Sequence, residues 1–159
     1  RWTFVGYRYS SNVRRCGAFM SRSTGRVMAF DWGLKRIGVA VGNTLLATCE
    51  PLCVLNARDG VPNWAAIAEL FKEWQPEQLV VGDPLNMDDS VAEITRRARR
   101  FSRQLEGRFN LPVSLIDERL TSREARIQLE EQGLPYHGAV DAHAAQLILQ
   151  SWLAEQVER

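Results

Sequence analysis

The 159-residue sequence is poor in cysteine and histidine and lacks any long apolar run. No uninterrupted apolar stretch approaches the roughly 20 residues of a membrane-spanning helix, so such a helix is excluded. The three cysteines show no zinc-type spacing. Cys49 and Cys53 fall in one predicted strand, about 13 Å apart, which is beyond the reach of a disulfide. We therefore expect a protein of the reducing cytoplasm with no membrane partner.

A strong charge of one sign is also missing, since 20 Lys and Arg oppose 19 Asp and Glu. The distribution is nevertheless uneven, because residues 1–19 contain four arginines and no acid. That segment has no clean periodicity and no apolar centre of the signal-peptide kind, so we expect an upstream or added extension that is disordered. Residues 20–159 are expected to form a single domain.

The apolar fraction of 45% is that of a globular protein, and its pattern changes along the chain. Short apolar runs separated by turn signals predict three strands at 27–30, 37–41 and 45–55. Helices and strands then alternate, with a helix at 64–74, strands at 79–81 and 113–116, and a last helix at 140–155. The order predicts an α/β fold with a mixed five-stranded sheet, an antiparallel three-strand meander followed by parallel strands, flanked by helices.

A further predicted helix follows the strand at 79–81. Ser90 and Glu93 stand in the spacing of a capping box at its start. Its expected apolar stripe consists of Val91, Ile94, Ala98, Phe101 and Leu105.

Three acids occupy positions where carboxylates are unusual. Asp31 and Glu118 each follow a short apolar strand, and Asp141 shares the apolar stripe of the last helix. Each could be a turn or cap residue, and strand alternation lets only one of Asp117 and Glu118 join a common site. Three converging carboxylates would suit Mg²⁺ or Mn²⁺.

Four sequence blocks resemble the YqgF family, the pre-16S rRNA nucleases once described as Holliday junction resolvase-like proteins. In chain order they read DWGLKRIGVA from Asp31, VGDPLNMD from Val81, DERLTS from Asp117 and VDAHAA from Val140. The resemblance implies an RNase H-like nuclease domain over 20–159. It also implies that Asp31, Glu118 and Asp141 are the catalytic, metal-binding acids of a two-metal phosphodiesterase using Mg²⁺ or Mn²⁺.

By this resemblance the substrate is the 5′ end of pre-16S rRNA, processed in ribosome biogenesis. A Holliday junction resolvase acting on four-way DNA and a nucleic-acid-binding module with little catalysis stay open as alternatives. The protein is expected to be a monomer or weak homodimer.

Two positions depart from the family pattern. Asp83 and Asp89 stand where relatives commonly carry an apolar residue and a glycine, and residues 134–139 lack the lysines often found there. We expect Asp83 to cap a loop, with a fourth carboxylate of the site as the alternative.

Candidate nucleic-acid contacts are cations near these acids. Lys35 and Arg36 follow Asp31, and Arg119 and Arg123 follow Glu118. A further row lies opposite the apolar stripe of the second helix: Arg96, Arg100 and Arg103. Trp32, beside Asp31, is the aromatic residue that we would test for base stacking.

Overall fold

The structure is a computed structural model that describes residues 23–84, 92–117, 131 and 142–159. Its strands are β1 (Arg26–Asp31), β2 (Arg36–Asn43), β3 (Thr48–Arg58), β4 (Val61–Pro62), β5 (Gln78–Asp83) and β6 (Val113–Asp117). Its helices are α1 (Trp64–Trp74), α2 (Glu93–Phe109) and α3 (Ala142–Val157). The sequence also predicts a helix that begins at the capping-box pair Thr121 and Glu124 and ends at Gly133. That segment lies outside the described residues, apart from Glu131.

The strands form one mixed sheet in the order β4-β3-β2-β1-β5-β6. β1, β2 and β3 are antiparallel neighbours, whereas β5 runs parallel to β1 and β6 parallel to β5. The predicted meander followed by parallel strands is therefore confirmed, with β4 as a sixth strand of two residues. The parallel strands place three carboxyl ends at one edge of the sheet.

The predicted start of the third strand is wrong. Leu45 and Leu46 lie in the turn between β2 and β3, where the Asn43 side-chain oxygen accepts hydrogen bonds from both of their backbone N–H groups. This Asx-type turn satisfies the backbone locally, so β3 begins only at Thr48. Both leucines are exposed.

One face of the sheet packs against α1 and α2 through aromatic side chains. Phe30 of β1 is fully buried at the centre, with ring centroids 6.2 Å from Phe71 of α1 and 5.8 Å from Phe101 of α2. Trp64 of α1 stacks on Phe101 and packs, partly buried, against this cluster. Such ring pairs each add about 0.5–1.5 kcal/mol beyond area burial.

The N-terminal half of α2 differs from its prediction. The helix begins at Glu93, and its N-cap is Ala92, with no side-chain cap, instead of the predicted Ser90, which lies outside the described residues. Thr95 is fully buried in place of Ile94, which is 38% exposed. The Thr95 hydroxyl donates to the carbonyl of Pro84, and this bond turns the helix so that Thr95 faces the sheet.

The opposite face packs against α3 through small residues. Val27, Ala29, Ala40 and Val80 form a shallow surface beneath the helix. The residues of α3 that cover it are Ala145, Ile148, Leu149 and Trp152. Ala145, Ile148 and Trp152 recur at helical spacing and confirm the described part of the apolar stripe predicted for this helix. Asp141, predicted on the same stripe, lies outside the described residues.

The described part of the chain contains no helix that is both long and apolar enough to cross a membrane. Cys49 and Cys53 are free thiols, as their spacing along one strand predicts. Burial raises the pKa of both thiols.

Candidate active site

The carboxyl edge of the sheet collects an aspartate from each of three parallel strands. Asp31 ends β1, Asp83 ends β5 and Asp117 ends β6. Asp83 and Asp117 are register partners, and Phe30, next to Asp31, pairs with Val81. In open α/β sheets, ligands bind at the carboxyl ends of the strands, so functional side chains are expected at this edge.

Asp31 lies on the α3 face of the edge. Side chains alternate along β1, and Val27 and Ala29 belong to the cluster beneath α3, so the Asp31 side chain lies on that same face. The residue is only 8% exposed and pairs across the hairpin with Gly38 of β2. A carboxylate this deeply buried is costly unless partners compensate for its lost hydration.

Asp83 lies on the other face and is bound by an arginine. Its two carboxylate oxygens accept hydrogen bonds from Nε and Nη2 of Arg99 on α2, at 2.9 and 2.8 Å. The bonds to Asp83 raise the pKa of the Arg99 guanidinium. The expected loop-capping role of Asp83 is therefore wrong: it forms a part-buried, bidentate ion pair that joins β5 to α2.

The other two acids of the expected trio, Glu118 and Asp141, lie outside the described residues. The described chain reaches Asp117 at the end of β6 and resumes at Ala142, the first residue of α3. Within the described ranges, no three side chains of His, Cys, Asp or Glu come together as a metal site. Arg119 and Arg123 also lie outside these ranges.

Lys35 and Arg36 are exposed in the β1–β2 hairpin, close to the strand end that carries Asp31. The hairpin loop is fixed to the region between β3 and β4. The Lys35 carbonyl accepts a hydrogen bond from Ala57 at 2.8 Å, and the Leu34 carbonyl accepts one from Gly60 at 2.8 Å. The two cations therefore project from an anchored loop.

Trp32 does not form the expected stacking surface. It is 6% exposed, lies in the aromatic core, and donates its Nε1–H to the Gly60 carbonyl at 2.9 Å. Gly60 has a φ of +77°, and a Cβ there would lie 2.2 Å from Cζ2 of Trp32, so only glycine fits. An aromatic ring buried in this way is not available to a base.

The α2 arginines divide into two groups. Arg96, Arg100 and Arg103 are exposed, as predicted. The other two form ion pairs: Arg97 with Asp59 in the β3–β4 turn at 3.1 Å, and Arg99 with Asp83 at 2.8 Å.

Sequence reasoning missed two contacts. The Arg99–Asp83 pair joins residues 16 positions apart, and no local pattern predicts it. The junction of Trp32 with Gly60 had a signal, because Asp59-Gly60 is a turn dipeptide. That signal predicts the turn but not the ring that packs against it.

The fold of the chain is shared with solved structures. *T. thermophilus* RuvC, solved in complex with a Holliday junction substrate, superposes with a TM-score of 0.56 at 16% identity, covering 84% of this chain and 96% of that one. The Fowlpox virus resolvase, solved with Holliday junction DNA, gives 0.52 at 13% identity, over 83% and 99%. The chain therefore has the RNase H-like fold of resolvases.

Sequence comparison is more specific. The family model described as RuvX, Holliday junction resolvase, matches residues 25–155, and the chain belongs to this family, also called YqgF. An *Aeromonas salmonicida* protein is 52% identical over 137 residues, 84% of this chain and 98% of that protein. A *Coxiella burnetii* protein is 51% identical over 132 residues, 81% and 92% respectively. Both carry a name that marks them as candidate pre-16S rRNA nucleases.

Proposed function

We propose that this chain is a metal-dependent nuclease that hydrolyses phosphodiester bonds and processes the 5′ end of pre-16S rRNA. The observation that carries the proposal is the position of Asp31. It is buried at the carboxyl end of the strand at the centre of an RNase H-like sheet, on the face that α3 covers. The family membership and the names of relatives that are about half identical support the same activity.

Extending two periodicities from described residues supports the rest of the acidic trio. Ile116 of β6 packs in the cluster beneath α3, and Glu118 comes two residues later in the sequence, the spacing at which side chains of a strand share a face. Ala145 of α3 is fully buried in the same cluster, and Asp141 is one helical turn earlier in the sequence. We therefore assign Glu118 and Asp141 to one site with Asp31.

The donor set suits a hard divalent cation. Carboxylate oxygens are the ligands that Mg²⁺ and Mn²⁺ prefer, and Asp31 supplies them at a buried strand end. We propose that Asp31, Glu118 and Asp141 would together hold two such ions. The ions would supply an activated water and stabilise charge on the phosphodiester.

The second candidate substrate is a four-way DNA junction, which the family description favours. We place RNA first because relatives at about 50% identity are named for rRNA, whereas the junction-bound structures share only 13–16% identity and support the fold alone. The formal net charge of +1 also leaves little general attraction for a bulky junction. An rRNA substrate implies a cytoplasmic protein, which we propose acts as a monomer or weak homodimer.

The experiment is cleavage of two end-labelled substrates, a pre-16S leader RNA and a four-way DNA junction, with Mg²⁺, Mn²⁺ or a chelator. The full chain is compared with Asp31→Asn and Asp141→Asn. Glu155→Gln, an exposed acid near the end of α3, is the matched control. We expect metal-dependent cutting of the RNA that both aspartate variants abolish and that the control retains.

Preferential cutting of the junction would show that four-way DNA is the substrate, with the proposed chemistry unchanged. Binding of RNA without cutting would favour a binding module. Cutting that survives both aspartate substitutions would overturn the site.

A further inference from the structure

Seven cations from three separate elements lie on neighbouring parts of the surface. We call this set the cationic track. Its members are Lys35 and Arg36 of the β1–β2 hairpin, Arg58 at the end of β3, and Arg96, Arg97, Arg100 and Arg103 of α2.

Direct contacts join the three elements. The hairpin loop and the β3–β4 turn share the hydrogen bonds from Ala57 to Lys35 and from Gly60 to Leu34. The same turn meets α2, because the Arg97 guanidinium pairs with Asp59, the residue after Arg58. The track therefore runs from the hairpin, across the β3–β4 turn, onto α2.

The track has few acids to balance it. Among the described contacts, Asp59 and Glu93 are the acids that pair with its members, through Arg97 and Arg96. The other five cations have no carboxylate partner within the part of the chain that the structure describes. Arg96, Arg100 and Arg103 are spaced by four and three residues on one helix face, where like charges repel. This concentration stands out in a chain whose formal net charge is +1.

The track starts beside the candidate active site. Arg36 is two residues before Gly38, the register partner of Asp31. Its other end, Arg103, lies about three turns into α2. Because Asp31 lies on the α3 face and α2 covers the opposite face, a polymer that occupies the site follows the track by passing around this edge of the sheet.

We propose that the cationic track binds the sugar-phosphate backbone of the nucleic-acid substrate beside the scissile bond, and so sets the path by which the strand leaves the site. This inference rests on the proposed function. A phosphate backbone is the partner that the chemistry fits, because six of the seven cations are arginines, whose forked donors match phosphate oxygens. Arg58 and Arg97 extend the contact beyond the hairpin and the outer helix face.

The surface is also held in place. Trp32 fixes the β3–β4 turn through its bond to the Gly60 carbonyl, and the Arg97 guanidinium lies 5.7 Å from the centre of the Trp32 ring. The turn that carries Arg58 thus has contacts with both the core and α2. A pre-positioned surface loses less conformational freedom when it binds.

The test measures binding separately from cleavage. The full chain carrying Asp31→Asn is titrated with labelled pre-16S leader RNA and with a four-way DNA junction, and the dissociation constant is followed from 50 to 200 mM KCl. The test variant adds Arg58→Gln and Arg100→Gln. The matched control instead adds Arg108→Gln and Arg159→Gln, which remove the same charge from a residue stacked over Trp64 and from the last residue of the chain.

Loss of two phosphate contacts lowers the slope of log affinity against log salt by about 1.4 for a single strand and about 1.8 for a duplex. We expect that change in the test variant and an unchanged slope in the control. Replacing Arg58 and Arg100 by Lys keeps the charge and is expected to restore the slope. The thermal midpoint of each variant confirms that it is folded.

An unchanged slope in the test variant, or an equal decrease of the slope in the control, would show that the cationic track does not bind the backbone. The proposed function would be unaffected by that result. Failure of the Asp31→Asn parent to bind either nucleic acid at 50 mM KCl would overturn the proposed function together with the track.

Discussion

At the carboxyl edge of the sheet, the α2 face and the α3 face each carry a buried strand-end aspartate. Asp83, on the α2 face, is 7% exposed, and Asp31, on the α3 face, is 8% exposed. Asp83 is bound through both carboxylate oxygens by Arg99. Asp31 lies beside the small residues over which α3 begins.

The two faces also differ in what supports them. Behind Asp83 lie the large rings of Phe30, Phe101 and Trp64, whereas the surface near Asp31 is built from alanine and valine. Burial at a strand end therefore does not by itself identify a catalytic acid. The bidentate bonds from Arg99 give Asp83 a structural role, whereas Asp31, on the other face, is the acid for which we propose a catalytic role.

The largest effect on stability is expected from removing a ring of the aromatic cluster on the α2 face, to which Trp32 belongs. Trp32→Ala removes a buried ring and should lower the free energy of unfolding by about 3–5 kcal/mol in a urea titration. Trp32→Phe keeps most of the apolar burial and loses the bond to the Gly60 carbonyl, so about 1–2 kcal/mol is expected. Unchanged stability of Trp32→Ala together with lost nucleic-acid binding would show instead that the ring stacks on bases.

The next effect comes from breaking the ion pair between Asp83 and Arg99. Arg99→Gln leaves the Asp83 carboxylate buried without its cation. Loss of one partner of a buried pair is costly, and because Arg99 is about a third exposed we expect a discounted loss of about 2 kcal/mol. Chemical denaturation measures it.

Two further variants calibrate that result. Asp83→Asn combined with Arg99→Gln removes both charges and should recover part of the loss. Arg96→Gln, whose partner Glu93 is well exposed, should change stability by less than about 0.5 kcal/mol. Equal losses for Arg96→Gln and Arg99→Gln would contradict the structural role of the Asp83 pair.

The smallest effect concerns a carboxylate at the opposite edge of the sheet. Glu77 accepts hydrogen bonds from the Ser23 hydroxyl at 2.7 Å and from the Thr24 backbone N–H at 2.7 Å, and also from the Thr24 hydroxyl. The bond from the Thr24 hydroxyl is the main cause that lowers the pKa of Glu77 to about 2. The Glu77 side chain is partly exposed and its hydrogen bonds lie at the surface, so solvent screening limits the effect of Glu77→Gln to about 0.5 kcal/mol or less.

The sign of its pH dependence follows from that pKa. The folded value lies below the unfolded value of about 4.3, so the stabilisation is complete above pH 4.3 and disappears as the pH falls towards 2. The difference in unfolding free energy between Glu77→Gln and the unmodified chain should therefore be largest at neutral pH and close to zero at pH 2. A difference that stays constant over this range would contradict it.

Local sequence patterns predicted most of the fold. The apolar runs at β1, β2, β5 and β6 and the helical spacing of Trp64, Ile67 and Phe71 require only near neighbours along the chain. The exposed face of α2 follows from the same periodicity. Asp31 is a candidate site residue from the sequence alone, because an acid directly after a short apolar run is a local pattern.

Contacts between distant segments account for what the patterns did not predict. The role of Asp83 depends on Arg99, one helix later in the chain. The burial of Trp32 depends on Gly60, whose missing side chain leaves space for the indole. The face that α2 presents near its start depends on the bond from Thr95 to Pro84. Each of these contacts joins residues that are too far apart in the sequence for a helical or strand periodicity to reveal.

The most direct test of the contrast between the two aspartates compares Asp31→Asn with Asp83→Asn. Each variant is assayed for metal-dependent cleavage of pre-16S leader RNA and for its free energy of unfolding. We expect Asp31→Asn to lose about 1,000-fold or more in cleavage, the equivalent of about 4 kcal/mol of transition-state stabilisation, while its stability changes by less than about 1 kcal/mol. Asp83→Asn should lose about 1–2 kcal/mol of stability and retain cleavage within about tenfold. The reverse pattern, with Asp83→Asn inactive and Asp31→Asn active but unstable, would contradict the assignment of Asp31 as the catalytic acid.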